Sequence, residues 1–600
     1  MPMTYKSPLR DLRFVYYELF DGDELARLPG FEDATQDTVE AVLEEMGKIA
    51  SEVLQPLNGP GDEQGCRLEN GAVRAPDGFR DAWKLLREGG WMGLTARPEY
   101  GGQGMPYSVG VAASELMIAA NLSFSMYVFL THGAYDALDH HASDELKEMF
   151  LPKLVDGSWA GTMCLTESQS GTDLGLVRTR AVDAGDGAWK LTGSKIFISA
   201  GDHDLAENIV HLVLARTPDA PPGIKGISMF LVPKLRPEGG RLVPNGVSCP
   251  SIEHKLGIKG SATCVIDFDG STGYLVGEPH KGMRAMFTMM NAARLHVGVQ
   301  GLALSEAGYQ AATAFARERL QGRALTGARY PDQEADPILV HPDVRRMLLS
   351  IRAFNEGARA LTAWIAMAID HAESDPDPAR REEADDLASL LTPIVKAFQT
   401  DLGFEMANVA LQVHGGYGYV REYGIEQVVR DARITQIYEG TNGIQALDLV
   451  GRKMPAHTGR ALRRFFHPVS EFLAAESGNE ALAEFTGPLA KAVDRLQRST
   501  LWLATESMKN PEQAGAAATD FLHLFGWTAL AYLWARMAKV AQQKLADGGT
   551  GLSAEERAFY DAKLRTARFF VERLLPRTSG HFANLMSGSR TMMEFPDSAF

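Results

Sequence analysis

The sequence predicts a multidomain α+β protein in which helical regions flank a middle β domain. Three observations predict this fold class: a length of 600 residues, helical spacing of apolar residues towards both ends, and short β-branched segments after residue 160. Six hundred residues exceed what one hydrophobic core fills, so several domains are expected. The hydrophobic period sets the boundaries of the predicted domains, which are 1–160, 161–281, 282–450 and 461–600.

Residues 1–160 are predicted to be mainly helical. In "DTVEAVLEEMGKIASEVLQPLN" (37–58), apolar residues recur every three or four positions, which is the period of one helix face. "GFRDAWKLLREGGWMGL" (78–94) repeats this pattern and breaks at its Gly-Gly pair. We therefore expect a helical N-terminal domain.

Residues 161–281 are predicted to form strands. Segments such as "AWKLTGSKIFIS" and "NIVHLVLAR" are short, rich in β-branched residues, and separated by Gly, Asp and Pro. "DAGDGA" (183–188) contains the residues of a tight hairpin turn. We expect a middle β domain, built as a barrel or a sandwich.

Helical spacing returns from Met283, and a C-terminal four-helix bundle is expected over 282–450. The apolar stripe of residues 387–413 fits either one long helix interrupted at Pro393 or two helices that meet there. "GRKMPAHTGR" (451–460) is predicted to be a linker. Residues 461–600 show amphipathic spacing again and are predicted to form an additional helical domain.

The bulk composition excludes several classes of protein. A formal net charge of −16 argues against a nucleic-acid partner, because phosphate contacts require a surplus of Lys and Arg. The 4 scattered cysteines provide neither a disulfide framework nor a metal cluster. No signal peptide is recognised, and no apolar run reaches the roughly 18 residues of a membrane span. We expect a cytoplasmic protein without a metal.

One acid stands out in "RITQIYEGTNGIQ" (433–445). Glu439 follows an apolar Ile-Tyr pair, and the nearest basic residue is Arg433. One interpretation is the first turn of a helix capped by Thr441 or Asn442. The other is a buried carboxylate that acts as a base, since burial raises the pKa of an acid.

Common nucleotide and hydrolase motifs do not occur in this chain. There is no GxGxxG after a strand and no GxxxxGK[ST], HExxH or GxSxG. The glycines of "HGGYGY" (414–419) follow a helix rather than a strand. If this order of domains forms an enzyme with a cofactor, the cofactor must bind without these nucleotide-binding motifs.

Four distant segments together resemble the acyl-CoA dehydrogenase family of flavoenzymes. They are "CLTESQSGTDLGLVRT" (164–179), "GSKIFISAG" (193–201), "ARERLQGRAL" (316–325) and "LQVHGGYGYVREYGIEQVVRDARITQIYEGTNGIQ" (411–445). The last is the most specific, because Gly-Gly-Tyr-Gly, Arg-Asp-Ala-Arg and Tyr-Glu-Gly-Thr occur in order. The resemblance covers residues 40–450, and the tail resembles a subgroup of similar length.

This resemblance implies FAD-dependent oxidation of a saturated acyl-CoA to the trans-2-enoyl-CoA in fatty acid β-oxidation. Electrons would pass to an electron-transfer flavoprotein, and the chain would form a homo-oligomer, with a dimer expected. A medium- or long-chain fatty acyl-CoA is the first expectation for the substrate. The alternatives are 3-methylmercaptopropionyl-CoA, or an acyl-CoA oxidase that uses oxygen.

The resemblance also assigns individual residues. Glu439 matches the catalytic base, because Ala293 occupies the place where some relatives carry it. Asn291 and Arg294 match substrate-side positions. The matched FAD contacts are Thr166, Thr172, Phe197, Ser199, Arg319, Gln321, Gln412, Gly415, Gly416 and Thr441.

The chain departs from the family pattern at two places. The loop "TESQSGTD" lacks the usual proline and carries Thr172 in place of Ser, which keeps the hydroxyl group. Gly443 occupies a position where many relatives have Gln, so that side-chain contact is lost.

Overall fold

The computed structural model describes residues 3–600, most of which are helical. The helices are α1 (Leu9–Arg13), α2 (Gln36–Ile49), α3 (Gln55–Gln64), α4 (Phe79–Glu88), α5 (Tyr107–Ala120), α6 (Leu122–His141), α7 (Asp144–Val155), α8 (Gly282–Glu318), α9 (Pro342–Ser374), α10 (Pro378–His414), α11 (Ile425–Arg433), α12 (Asn442–Asp448), α13 (Arg460–Ala475), α14 (Ala483–Lys509), α15 (Pro511–Leu545), α16 (Ala554–Phe569), α17 (Arg577–Met586) and α18 (Arg590–Met593). The strands are β1 (Arg67–Glu69), β2 (Ala72–Arg74), β3 (Trp159–Cys164), β4 (Arg180–Gly185), β5 (Ala188–Ser199), β6 (Asn208–Ala215), β7 (Ser228–Pro233), β8 (Leu235–Glu238), β9 (Arg241–Pro244), β10 (Val247–Ile252) and β11 (Thr263–Val276).

The chain forms two compact units, each built from several segments. The first unit contains the described residues up to Glu45, together with Val111–Glu115 and Arg294–Phe600. The second contains Met46–Gly110 and Leu116–Ala293. The expected order of a helical part, a β part and two helical parts is confirmed, while the domain boundaries remain predictions.

The main sheet of the second unit has seven strands in the order β3-β6-β7-β11-β5-β4, with β10 also paired to β11. β3 and β6 are parallel and the other ladders are antiparallel. The long strand β11 pairs with β10 along its first part and with β7 along its last residues. Between β4 and the chain after β6, the described residues form one isolated bridge, Arg180 with Arg216. The sheet is therefore open, so the expected middle β domain is confirmed but is not closed into a barrel, one of the two forms expected for it.

The hairpin turn between β4 and β5 is confirmed. Asp186 and Gly187 have φ values of 52° and 74°, and two consecutive positive values characterise the turn that matches strand twist. A second, short hairpin of β1 and β2 was not expected. Its signal was the Asn70-Gly71 pair, a favoured hairpin turn, but its strands have only 3 residues each.

The helix α10 determines where the candidate site lies. It continues unbroken through Pro393, so the expected interruption is wrong. It approaches α8 closely, because a Cβ on Gly301 would lie 2.4 Å from the Gln399 carbonyl oxygen and one on Gly403 would lie 2.3 Å from the Gly301 oxygen. Only glycine permits this contact, which fixes α8 against α10.

The additional C-terminal helices pack into the first unit around α15. Nearly every residue of α15 between Phe521 and Ala538 is buried, and the Trp534 indole donates to the Ala353 carbonyl of α9 over 3.0 Å. Among residues 3–600, no helix combines the length and the apolar character that a bilayer crossing requires.

Candidate functional site

Glu439 lies in a strained turn between α11 and α12. Its φ is 58° and that of Gly440 is 86°, so two consecutive residues are left-handed. Gly adopts this conformation freely, whereas for Glu it costs about 1–3 kcal/mol. Thr441 occupies the N-cap position of α12, but its side chain makes no capping hydrogen bond. Glu439 therefore precedes the helix, and the simple capping interpretation does not account for it.

Two basic side chains act on the Glu439 carboxyl group. Burial raises the pKa of Glu439, while the positive charges of Arg294 and Lys396 oppose that rise. Lys396 is fully buried, and burial lowers its pKa to about 7. Arg294 is also buried, with its Nη1 3.5 Å from Asp448 Oδ2. The half-buried acid therefore lies beside two cations whose charges oppose the effect of burial on its pKa.

Two amide side chains hold the Glu439 turn in place. The Asn442 Nδ2 donates to the Ala397 carbonyl, Thr400 Oγ1 and Asp401 Oδ1 at 3.1, 2.9 and 2.7 Å. The Gln445 Nε2 donates to the Glu439 carbonyl over 3.2 Å. Sequence reasoning considered Asn442 only as a cap and missed Gln445, since neither carries a charge or a motif of its own.

A second group of assigned residues lies in the second unit, around the end of β5. The Thr166 carbonyl accepts from the Ile196 N–H over 2.9 Å, so the loop after β3 lies beside β5. Phe197 and Ser199 are two positions apart on this strand. Phe197 has a φ of 58° and is 60% exposed. An exposed aromatic ring in a strained conformation indicates a contact surface.

Thr172 lies in the loop that carries the family departures. It is exposed, whereas the neighbouring Glu167 is buried and organises the loop. The Glu167 carboxylate accepts from the N–H groups of Arg178 and Thr179 and from Lys195 Nζ, which is 2.8 Å away. These donors, and Lys195 above all, hold the pKa of Glu167 at about 2 despite its burial. The buried Glu167 and its donors hold the loop in place in the absence of the usual proline. This role of Glu167 was not predicted from the sequence.

The assigned residues Arg319, Gln321, Gln412, Gly415 and Gly416 form a third group at the ends of α8 and α10. The Arg319 guanidinium lies 5.3 Å from the centre of the Tyr417 ring and donates to Gln321 Oε1 over 3.3 Å. Gly415 has a φ of 58°. A Cβ added at either glycine would meet nothing within 4 Å, so both backbones are accessible to a ligand.

Each of these two groups, taken by itself, has chemistry that fits a part of FAD. An exposed ring with neighbouring hydroxyl groups suits an isoalloxazine, and Arg319 beside two open glycines suits a pyrophosphate, which backbone N–H groups and a cation bind. Thr441 is exposed in the turn after Glu439. Among the described residues, no cluster of His, Cys, Asp or Glu has the arrangement of a metal site.

The two assigned substrate residues differ in their surroundings. Asn291 is exposed, whereas Arg294 is buried and faces Asp448 and Glu439. Ala293 is buried and carries no ionisable group. The structure therefore gives Arg294 an electrostatic effect on Glu439, and a contact of either residue with substrate remains a prediction.

Family models match almost the whole chain. The N-terminal, middle and C-terminal domains of acyl-CoA dehydrogenases match residues 36–158, 162–271 and 280–454. The model described as "Acetyl-CoA dehydrogenase C-terminal like" matches residues 465–596. The four matches follow one another in the order of the predicted domains.

Full-length relatives are similar to this chain. The 3-methylmercaptopropionyl-CoA dehydrogenase of Ruegeria pomeroyi is 43% identical over 597 residues, which are 97% of this chain and 98% of the relative. A butyryl-CoA dehydrogenase of Syntrophomonas wolfei is 34% identical and covers 100% of this chain and 99% of its own. An acyl-CoA dehydrogenase of Bacillus anthracis complexed with FAD superposes with a TM-score of 0.73 at 20% identity, covering 95% of this chain and 91% of that one.

Proposed function

The chain belongs to the acyl-CoA dehydrogenase family of FAD-dependent oxidoreductases, and from that premise we propose that Glu439 is its catalytic base. The proposed reaction removes one hydrogen from each of Cα and Cβ of an acyl-CoA thioester and leaves a trans-2-enoyl-CoA. The observation that supports it is the position of Glu439, a lone acid in a strained turn with a raised pKa and two basic neighbours.

In the proposed step, Glu439 is the group that accepts the proton. Its carboxylate takes the α proton, and the electron pair of that C–H bond forms the new double bond as the β hydrogen departs with its pair. FAD, when bound, supplies the acceptor for this hydride. Because an α proton of a thioester is weakly acidic, the base must be stronger than a solvated glutamate, and burial provides that strength.

The thioester oxygen gains negative charge during proton removal and requires a donor. Among the hydrogen bonds of residues 3–600, none is donated by the Glu439 backbone N–H. We infer that this N–H binds the thioester oxygen, which would also place the α carbon beside the carboxylate of the same residue. Donors preorganised towards such an oxygen contribute strongly to catalysis.

The proposed FAD contacts follow from the two groups described above. Thr166, Phe197 and Ser199 would contact the flavin, with Thr172 and Thr441 supplying further hydroxyl groups. Arg319 and Gln321 would contact the ADP portion of the FAD bound to a neighbouring subunit, together with Gln412 and the backbones of Gly415 and Gly416. Arg294 and Asn291 are proposed substrate-side residues.

A short acyl-CoA is the proposed substrate class. Two of the full-length relatives are named for 3-methylmercaptopropionyl-CoA and butyryl-CoA, both of which carry short acyl chains, while another is named as a broad-specificity linear acyl-CoA dehydrogenase. The medium- or long-chain substrate expected from the sequence is the competing outcome. Anaerobic bleaching of the flavin absorbance with acyl-CoAs of increasing length, and with 3-methylmercaptopropionyl-CoA, decides between them; no bleaching with any of them would reject the function.

We propose an electron-transfer flavoprotein as the physiological acceptor and a homodimer as the assembly. An acceptor assay compared with release of hydrogen peroxide in air separates a dehydrogenase from an oxidase. Light scattering of the FAD-loaded protein measures the assembly, and the mass of a tetramer would reject the dimer.

A further inference from the structure

His523, in the additional C-terminal helices, contacts Asp401, which accepts a hydrogen bond from Asn442 next to the Glu439 turn. His523 belongs to α15, and its Nε2 lies 3.0 Å from Asp401 Oδ2 of α10. The ring is held on two faces, since Phe398 packs edge-on at 5.7 Å and His581 stacks at 5.2 Å. This ring is therefore fixed in orientation towards Asp401.

Asp401 receives donors on both carboxylate oxygens. Its Oδ1 accepts from Gln436 Nε2 and from Asn442 Nδ2, each over 2.7 Å, while Oδ2 faces His523. These partners lower the pKa of Asp401, with His523 contributing most, and oppose the effect of its burial. Asp401 therefore stays ionised, although its position is largely removed from water.

The ionised carboxylate determines which way the Asn442 amide points. With its NH₂ group directed to Asp401, the Asn442 Oδ1 faces Lys396 and accepts from its Nζ over 2.7 Å. A reversed amide would place its oxygen against the carboxylate and its NH₂ against the ammonium group, which is repulsive at both ends. Asp401, together with the Ala397 carbonyl that accepts from the same NH₂ group, thus helps to fix the position of Lys396 through Asn442.

Lys396 is one of the two cations that act on Glu439. We propose that His523 is a positioning residue for the reaction: it holds Asp401, which orients Asn442 and so keeps Lys396 beside Glu439. This inference rests on the proposed function, in which Glu439 is the base. It assigns a role in catalysis to the additional C-terminal helices, which contain no assigned FAD or substrate residue.

Three variants separate this hydrogen bond from packing of the C-terminal helices. His523→Leu removes the donor, and His523→Gln keeps an N–H group near the position of Nε2. Arg577→Gln is the matched control, because Arg577 of α17 pairs with Glu405, one turn beyond Asp401 on α10, over 2.7 Å. It breaks a contact between the same two regions without touching Asp401.

The measurement is the rate of anaerobic flavin bleaching of the FAD-loaded proteins. The probe is butyryl-CoA or 3-methylmercaptopropionyl-CoA, whichever bleaches the wild type faster, at saturating concentration. We expect His523→Leu to slow bleaching by about 10- to 100-fold, with an unchanged half-saturating concentration and flavin spectrum. His523→Gln should recover most of the rate, and Arg577→Gln should match the wild type.

The outcomes distinguish the inference from the function on which it rests. A wild type that no acyl-CoA bleaches would reject the function. A wild type that bleaches, with His523→Leu equally fast or Arg577→Gln equally slow, would overturn the role of His523 alone. If His523→Leu does not fold, His523→Asn replaces it, since its shorter side chain withdraws the amide from Asp401; a rate equal to that of His523→Gln would then refute the inference.

Discussion

Lys396 Nζ donates to Asn442 Oδ1 over 2.7 Å, which ties the middle of α10 to the turn that carries Glu439. Lys396 is fully buried and its pKa lies at about 7. A buried lysine without partners would be neutral, so the proximity of Glu439 and Asp401 retains part of its charge. The charges of the proposed base and of this lysine therefore influence each other's pKa.

Replacing Glu439 by Gln should abolish the reaction and spare the cofactor. Gln has the same shape but cannot accept the α proton at neutral pH. We expect Glu439→Gln to purify with FAD and to bind acyl-CoA, while anaerobic flavin bleaching slows by at least about 10²- to 10⁴-fold. Stopped-flow absorbance measures this rate. Bleaching within a few-fold of the wild type would exclude Glu439 as the base.

The rate of bleaching should increase with pH. Only ionised Glu439 accepts a proton, and its raised pKa moves this rise above the range of a solvated glutamate. Lys396→Met removes a charge that lowers the pKa of Glu439, so the curve should shift to higher pH. Rates at saturating acyl-CoA across a pH series test this. The control is Lys453→Met, because Lys453 is not among the charges that act on Glu439. A shift to lower pH would contradict the assignment.

The sequence predicted the order of the elements because hydrophobic periods are local. Helical spacing and β-branched segments identified helical and β regions, and the turn at Asp186 and Gly187 was predicted from the short segment "DAGDGA". Closure of the sheet was not predictable, because it depends on whether the two edge strands β3 and β4 pair with each other, and strand pairing is decided by tertiary packing rather than by the local pattern of either strand. The same locality explains why Pro393 was expected to interrupt α10, whereas packing keeps that helix continuous.

The candidate site likewise contains residues that the local sequence identifies and residues that only tertiary packing brings together. Glu439 was identified because a lone acid in an apolar segment is unusual and because its neighbours resemble a family motif. Lys396 lies within "TPIVKAFQ" and resembles a solvated residue on a helix, since burial of a lysine is decided by tertiary packing. His523 and Asp401 are 122 residues apart, so no local pattern connects them.

Gly416 offers a test of the FAD site that leaves the fold unchanged. A Cβ there meets nothing within 4 Å and the residue is exposed, so Gly416→Val should shift the free energy of unfolding by less than about 0.5 kcal/mol. If the backbone at Gly416 approaches a pyrophosphate, the side chain should weaken retention of FAD. The ratio of flavin to protein absorbance after gel filtration measures this.

Gly487→Val is the control for that experiment. Gly487 is exposed in α14, and a Cβ there also meets nothing within 4 Å. The control should retain FAD like the wild type. Equal retention by both variants would remove Gly416 from the proposed contacts.

The stability of the first unit should depend on a buried ion cluster around Arg359. The Arg359 side chain is 2% exposed and bonds Glu115 over 2.6 Å, Glu306 over 3.3 Å and also Asp11. Removing Arg359 leaves the buried Glu115 carboxylate without its cation, although Asp11 keeps its pair with Lys563, and breaking such a buried pair costs about 3–5 kcal/mol. We expect Arg359→Met to lower the free energy of unfolding by that amount, measured by urea denaturation of the FAD-loaded protein.

The matched substitution for that experiment lies on the same helix. Arg346 pairs with Asp343 over 2.7 Å, and both side chains are more than half exposed. Because an exposed pair is screened by water and salt, Arg346→Met should change stability by less than about 1 kcal/mol. A comparable loss in both variants would show that burial of the Arg359 cluster is not the cause. A loss confined to Arg359→Met would show that this cluster holds α1 and α5 against α8 and α9, since Asp11, Glu115 and Glu306 each reach Arg359 from a different helix.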